Sequence, residues 1–333
     1  MTISSWGDKA LSTVRGRIEL ARVRRRAAAS ALPVPVVDEY RPASQSLPRL
    51  AEPEKLRFTG AAFIVIGALL IGFALQFAGV SQVSFGRDQQ LALADFRFQL
   101  ANATAPVGQT GQDGKLLAPG TPVAVLEVPS IGLSDVVLEG TTSDVTTSGP
   151  GHRRDTVLPG QVGASVIYGR QAAYGAPFAS ISQLALGDEI TATTGQGVAT
   201  YTVTGVRFTG DPVPAGLVAG EGRLTLVSGS GLPFLPQSIV RVDAQLTSDV
   251  QPTPERVLSY AALDESELTM SGNPAAWPLL VLALILLGGM IALFTISRRF
   301  WGRWQTWVVS VPVLIALGLF AAHQVTIVLP NVM

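Results

Sequence analysis

The sequence predicts a mainly β domain held outside a membrane and carried on three transmembrane α-helices. Three features predict it: long apolar runs without charge, basic residues gathered to one side of them, and short β-branched segments between the first two runs. Residues 58–80 contain no charge and, as a helix, rise roughly 35 Å, enough to cross a hydrocarbon core of about 30 Å. Residues 274–296 and 304–329 repeat the pattern, with Trp277, Trp301, Trp304 and Trp307 near their ends, where indole favours the interface. The chain carries 24 basic and 24 acidic residues, but they are segregated. Residues 1–57 hold 11 Lys/Arg against 6 Asp/Glu, and residues 81–274 hold 10 against 18. The other cations are Arg298, Arg299 and Arg303. The positive-inside rule then puts residues 1–57 and 297–303 in the cytoplasm and the main domain outside the plasma membrane.

Each segment follows from its composition. Residues 1–57 form a basic arm and Pro-rich linker. Leu11, Val14, Ile18 and Ala21 share one helical face amid arginines, which suits either a helix on anionic lipid or a tail that enforces topology. Prolines 33, 35, 42, 48 and 53 make the rest extended. The span at 58–80 follows a long basic arm and therefore reads as a retained anchor. Residues 81–119 are a stalk helix, amphipathic over 87–100, and a loop. Residues 120–247 are the β domain, with strands expected at 123–128, 135–138, 164–168, 189–193, 200–208, 223–227 and 239–246. Seven or eight strands in so short a stretch imply a compact barrel or sandwich. Residues 248–273 are an acidic linker to the span at 274–296, and a cytoplasmic turn at 297–303 leads to the span at 304–329. With no cysteine, no disulfide can staple the outer domain, so an apolar core must hold it. Its net negative charge argues against nucleic acid as a partner.

Six motifs in order carry a family resemblance. They are Val125-Leu-Glu-Val-Pro-Ser-Ile-Gly-Leu133, Gly149-Pro-Gly-His152, Val166-Ile-Tyr-Gly-Arg170, the stretch from Tyr174-Gly-Ala-Pro-Phe178 to Ile190, Thr200-Tyr-Thr-Val-Thr-Gly-Val206, and Arg223-Leu-Thr-Leu-Val-Ser-Gly229. Together they resemble the sortases, the cysteine transpeptidases of Gram-positive cell surfaces, in an actinobacterial, class E-like form. The resemblance implies an eight-stranded β-barrel. It also implies a thiolate that attacks the threonyl carbonyl of an LPXTG-type sorting signal, a histidine that protonates the leaving amine, and an arginine for the oxyanion. In this chain the nucleophile position falls on Gly229, the histidine position on Arg170, and the arginine position on Ser238 or Ile239. A glycine has no nucleophile, and a guanidinium does not release its proton at working pH. The resemblance therefore implies a degenerate sortase without catalytic residues.

What remains is a groove in which Arg170, Tyr174, Phe178, Ser228 and Ser230 could bind a ligand, such as an extracellular peptide or a cell-wall fragment. Aromatics at 174 and 178 could equally pack in the core. The leading expectation is a non-catalytic binding or scaffold subunit of a cell-envelope or export complex. Its partners would be an ABC transporter, an envelope-assembly machine, or a true sortase or pilus apparatus. The alternative is a diverged transpeptidase or peptidase using Ser228 or Ser230, with His152 as the one histidine of the outer domain. Otherwise Ser228-Gly-Ser-Gly231 reads as a turn. Arg153-Arg154-Asp155 could hold an anion or form a local ion pair. His323 lies near the outer end of the last span, far in sequence from His152, and neither a metal cluster nor a cofactor motif is expected.

Overall fold

The structure, a computed structural model, describes residues 63, 66–67, 70–297 and 300–333. The basic arm and most of the first expected span lie outside the described residues. Eight strands close into a barrel: β1 Pro122–Val128, β2 Leu133–Glu139, β3 Gly151–His152, β4 Gly163–Tyr168, β5 Glu189–Thr194, β6 Gly197–Phe208, β7 Gly222–Leu232 and β8 Leu235–Leu246. Their order around the barrel is β1-β2-β3-β4-β7-β8-β6-β5. Closure follows from the period-two pattern. Leu126 and Val128 of β1, Ile190 and Ala192 of β5, Tyr201 and Val203 of β6, Leu224 and Leu226 of β7, and Val240 and Val242 of β8 all enter one apolar core. The seven expected strands are present. The eighth, β3, escapes a sequence reading because it pairs through two residues alone, Gly151 with Tyr168 and His152 with Ile167.

Such a short β3 leaves part of the β2 edge without a strand, and a side chain fills the gap. From α1, Ser81–Ala101, the Gln89 amide accepts from Val136 N at 2.6 Å and donates to the carbonyls of Val136 and Ser148 at 3.1 and 2.8 Å. It satisfies backbone groups that a longer β3 would otherwise meet. Phe96 of the same helix is fully buried. The expected stalk thus packs against the barrel.

Two corrections concern the segments around the barrel. Residues 228–231, expected as a possible turn, continue β7 as far as Leu232, because each of them pairs with β8. Residues 248–273 are no free tether. Gln251 N donates to Gly160 O at 2.8 Å, and Gln109 accepts from Val257 N and Leu258 N at 2.7 and 2.8 Å. The segment therefore lies against the barrel.

Among the described residues, two helices rather than three are long and apolar enough to cross a membrane, Pro274–Ser297 and Trp304–Val328. The first expected span is described only in part, and its end continues through a π-helical turn, Gln76–Val80, straight into α1. The two spans correspond to α3, Trp277–Ser297, and α4, Arg303–Val328. A short helix, α2 (Ser143–Thr146), lies between β2 and β3. Leu279, Val281, Leu282, Leu284 and Ile285 of α3 stand exposed, which suits lipid rather than water. Below α3, the Asn273 side chain accepts from Ala275 N at 3.0 Å, while Asn273 N donates to Ile327 O of α4 at 3.0 Å. These bonds tie the start of α3 to the end of α4.

Candidate functional site

Beyond the end of β4 the chain turns through Gly169, whose N–H donates to Val227 O at 3.0 Å. A Cβ at 169 would run into the ring of Phe178, so only glycine lets the aromatic pack flat there. Phe178 belongs to the barrel core, 1% exposed, and is not free to line a groove. Ser228 is fully buried, and its Oγ donates to Gly169 O at 2.9 Å, locking β7 to this turn. In the β7–β8 ladder Gly229 stands opposite Ile239 and Ser230 opposite Ser238. Gly229 and Ile239, and Ser230 and Ser238, are therefore direct cross-strand neighbours.

Arg170 is 2% exposed. One nitrogen donates to Ser143 O at 2.8 Å, its guanidinium carbon lies 5.5 Å from the centre of the Tyr174 ring, and Nε has no partner. Among the described residues no carboxylate forms an ion pair with it. Burial pushes its pKa down to about 10, against the opposing influence of Tyr174 and Asp144, so the group stays charged near neutrality.

Tyr174 is also buried, held by a left-handed run in which Ala173, Tyr174, Gly175 and Ala176 have φ of 57, 46, 73 and 45°. Three of these four carry a Cβ, and each such residue costs of the order of 1–2 kcal/mol in this region. The Tyr174 phenol oxygen meets His323 Nδ1 of α4 at 3.0 Å and accepts from Gln76 Nε2 at 3.3 Å. Tyr174 thus joins the barrel to two membrane-side helices. His323, which the sequence placed near one end of the last span, is thus bonded to the segment that follows β4.

The last residues come back to the same place. Val332 O accepts from Gly229 N at 3.0 Å and from Gln171 N at 3.3 Å. The Val332 side chain is fully buried against Tyr168 and Val227, with Val166, Ile239 and Met270 around it. A Cβ at position 229 would sit 2.9 Å from Val332 O and 3.0 Å from Pro236 Cβ, both too close. Two N–H groups, those of Gly229 and Gln171, therefore converge on one carbonyl. The sequence reading missed Gln171, Asn331 and Val332. The one available signal was the Leu-Pro pair that ends α4.

His152 takes no part in this cleft. Nδ1 lies 2.8 Å from Glu139 Oε2, and Nε2 lies 2.9 Å from Val157 O and 3.1 Å from Thr156 Oγ1. A carbonyl can only accept, so Nε2 carries the proton and cannot serve as a base toward Thr156. Burial lowers the His152 pKa, but the Glu139 charge and hydrogen bond, with Val157 and Asp155, outweigh it, and the pKa ends above the ordinary histidine value. The pair is an imidazolium–carboxylate contact sealed in the barrel wall. Arg153 binds Asp155 through two bonds of 2.6 and 2.9 Å, and Arg154 reaches Glu267 at 3.2 Å. Both arginines are thus committed to local ion pairs. The hydrogen bonds among the described residues bring neither Ser228 nor Ser230 to His152. The described residues also contain no cluster of three or more metal-ligating side chains.

Comparison with known proteins bears on this arrangement. Residues 126–232 match the sortase domain family model. Sortase E from Streptomyces avermitilis is 31% identical, the match covering 44% of this chain and 100% of that one, with a TM-score of 0.35. Sortase C-1 from Actinomyces oris is 25% identical over 38% of this chain and 75% of its own, TM-score 0.33. A sortase D5 transpeptidase from Clostridium perfringens is 21% identical over 49% of this chain and 99% of its own, TM-score 0.40. No functionally curated protein matches.

Proposed function

From a chain that belongs to the sortase family through its barrel, we propose a membrane-anchored pseudo-sortase that works by binding rather than by catalysis. One observation carries the reading: the backbone N–H of Gly229, where the resemblance expects a thiolate, already holds the chain's own Val332 carbonyl. Two further facts support it. Arg170, at the histidine position, is buried and charged. Ile239 and Ser238, at the arginine position, have no cation to offer an oxyanion. Against the serine alternative, the Ser228 hydroxyl is consumed by Gly169 O, and His152 is committed to Glu139 and Val157. In this reading the barrel lies outside the plasma membrane, the basic arm inside, and the helices dock into an envelope or export complex. An ABC transporter or an envelope-assembly machine is the kind of partner proposed.

The detergent-solubilised full chain, given an LPXTG-type peptide, should leave it uncut and form no acyl adduct visible by mass spectrometry. A fluorophosphonate probe should leave Ser228 and Ser230 unlabelled. Stoichiometric labelling of Ser230 that disappears in Ser230→Ala would replace this reading with a serine enzyme.

A further inference from the structure

We propose that the tip of the β7–β8 hairpin, Leu232-Pro-Phe-Leu235, is a membrane-inserting wedge whose partner is the lipid of the bilayer that the chain's own helices cross. The proposal rests on the membrane-anchored reading and adds a lipid contact made by the barrel itself. The ladder closes with Gly231 opposite Pro236 and Leu232 opposite Leu235, which leaves Pro233 and Phe234 as a two-residue loop. Loops of this length favour glycine or asparagine where the backbone turns left-handed, because such residues adopt that region at little cost. Here Phe234 occupies it, with φ 65°. A bulky aromatic is strained there, and the turn itself gains nothing from the ring.

The side chains of the tip are apolar and uncovered. Leu232, Phe234 and Leu235 are 59, 40 and 67% exposed. No charged residue occurs between Arg223 and Arg241, so no charge blunts the end of the hairpin. Single exposed leucines are ordinary on a surface, but three large apolar side chains gathered on one turn mark an interface. The position of the tip says which interface. The Phe234 ring meets the Phe77 ring edge-on, with centroids 5.1 Å apart, and Phe77 lies 5.5 Å from Phe73 one turn earlier. Both belong to the helix that leads into α1, in the first expected span. Gln76, beside Phe77, donates to the Tyr174 hydroxyl, which also meets His323 Nδ1. His323 lies inside the apolar span Trp304–Val328, about 7.5 Å from its end at a rise of 1.5 Å per residue. Two separate contacts thus bring this end of the barrel to the level where a span leaves the bilayer. A surface at that level meets headgroups and the first acyl carbons, where leucine and phenylalanine are favoured and charge is not. Gly229 stands on the same hairpin, roughly 10 Å from Leu232 along β7, so the wedge holds the cleft close over the lipid.

Because the chain has no cysteine, a single introduced one can carry an environment-sensitive fluorophore such as NBD. The full chain is reconstituted into phosphatidylcholine vesicles with the probe on Leu235→Cys, Val198→Cys or Ile285→Cys, all three native side chains being exposed. Val198 lies near the start of β6, whose other end at Phe208 pairs with Val240, so it marks the barrel end away from the tip. Ile285 marks α3. Nitroxide-bearing lipid should quench the probe at 235 roughly threefold more than at 198, and aqueous iodide should quench them in the reverse order. Adding Phe234→Asp should return the probe at 235 to the level seen at 198, since a carboxylate at the tip resists leaving water. Quenching that survives this change would show that the probe, not the tip, seeks the lipid, and would overturn the wedge. Lipid quenching at 285 without any at 235 would overturn the wedge and leave the anchored reading in place. No lipid quenching at 285 would overturn both. A probe at 235 shielded from iodide but untouched by lipid quencher would assign the tip to a second copy of the chain, again against the wedge.

Discussion

Two cations are sealed into this barrel, and their surroundings differ. His152 has a carboxylate at 2.8 Å and a carbonyl at 2.9 Å, so both ring nitrogens are satisfied. Arg170 has one carbonyl, one aromatic face and an orphaned Nε. The first is a closed structural contact in the wall. The second lies beyond the end of β4, and among the described residues no carboxylate forms an ion pair with it. A buried charge gains stability from its partner, not from burial itself, so the pair at His152 should matter more to folding than the lone guanidinium at 170.

The largest expected effect tests that contrast directly. Glu139→Ala strands a buried imidazolium and should cost about 3–5 kcal/mol, whereas Arg170→Met, which removes an unpaired charge at similar volume, should stay within about 1 kcal/mol. Reversible unfolding of the solubilised chain measures both, and equal losses would erase the distinction. A smaller effect should appear with pH. Because the folded pKa of His152 is raised, its contribution is fully present below about pH 6.5, the ordinary histidine value, and is lost as pH rises through the folded value. The unfolding midpoint should therefore decline on the alkaline side, and Glu139→Gln should flatten that slope. A slope unchanged in the Gln variant would mean that another group titrates. The smallest effects belong to the cleft serines. Ser228→Ala leaves Gly169 O without its donor and should cost about 1 kcal/mol. Ser230→Ala, half-exposed and without a hydrogen bond among those described, should shift stability by less than about 0.5 kcal/mol. A Ser230→Ala loss larger than that of Ser228→Ala would reverse the assignment of which serine holds the turn.

Much of the fold was legible because it is local. Alternation along β5, with Ile190 and Ala192 inward and Thr191 and Thr193 outward, is written within one short segment. The same holds for the apolar run that became α3. Strand β3 was not legible, since Gly151 and His152 become a strand only when β2 and β4 flank them. Nor was the strand character of Ser228–Gly231, because glycine and serine read as a turn unless a partner strand such as β8 pairs with each of them, here with a register shift between Ser230 and Gly231. For Phe178 the sequence left a ligand groove and core packing both open, and the turn at Gly169 places it in the core.

By itself the sequence determined that the chain has no thiol, that it carries apolar runs long enough to cross a membrane, and that β-branched alternation builds a small barrel or sandwich, while its motifs carried the resemblance to the sortases. These are matters of composition and of period, which neighbours along the chain decide. The tertiary structure alone decided what fills the cleft. The bond from Ser143 to Leu329 joins residues 186 positions apart, and the one from Asn331 to Thr141 joins residues 190 apart. No period in a sequence encodes such pairings. They arise because a buried amide or carbonyl must find a partner wherever the folded chain can bring one, and in this barrel the nearest partner was the segment that follows its last helix.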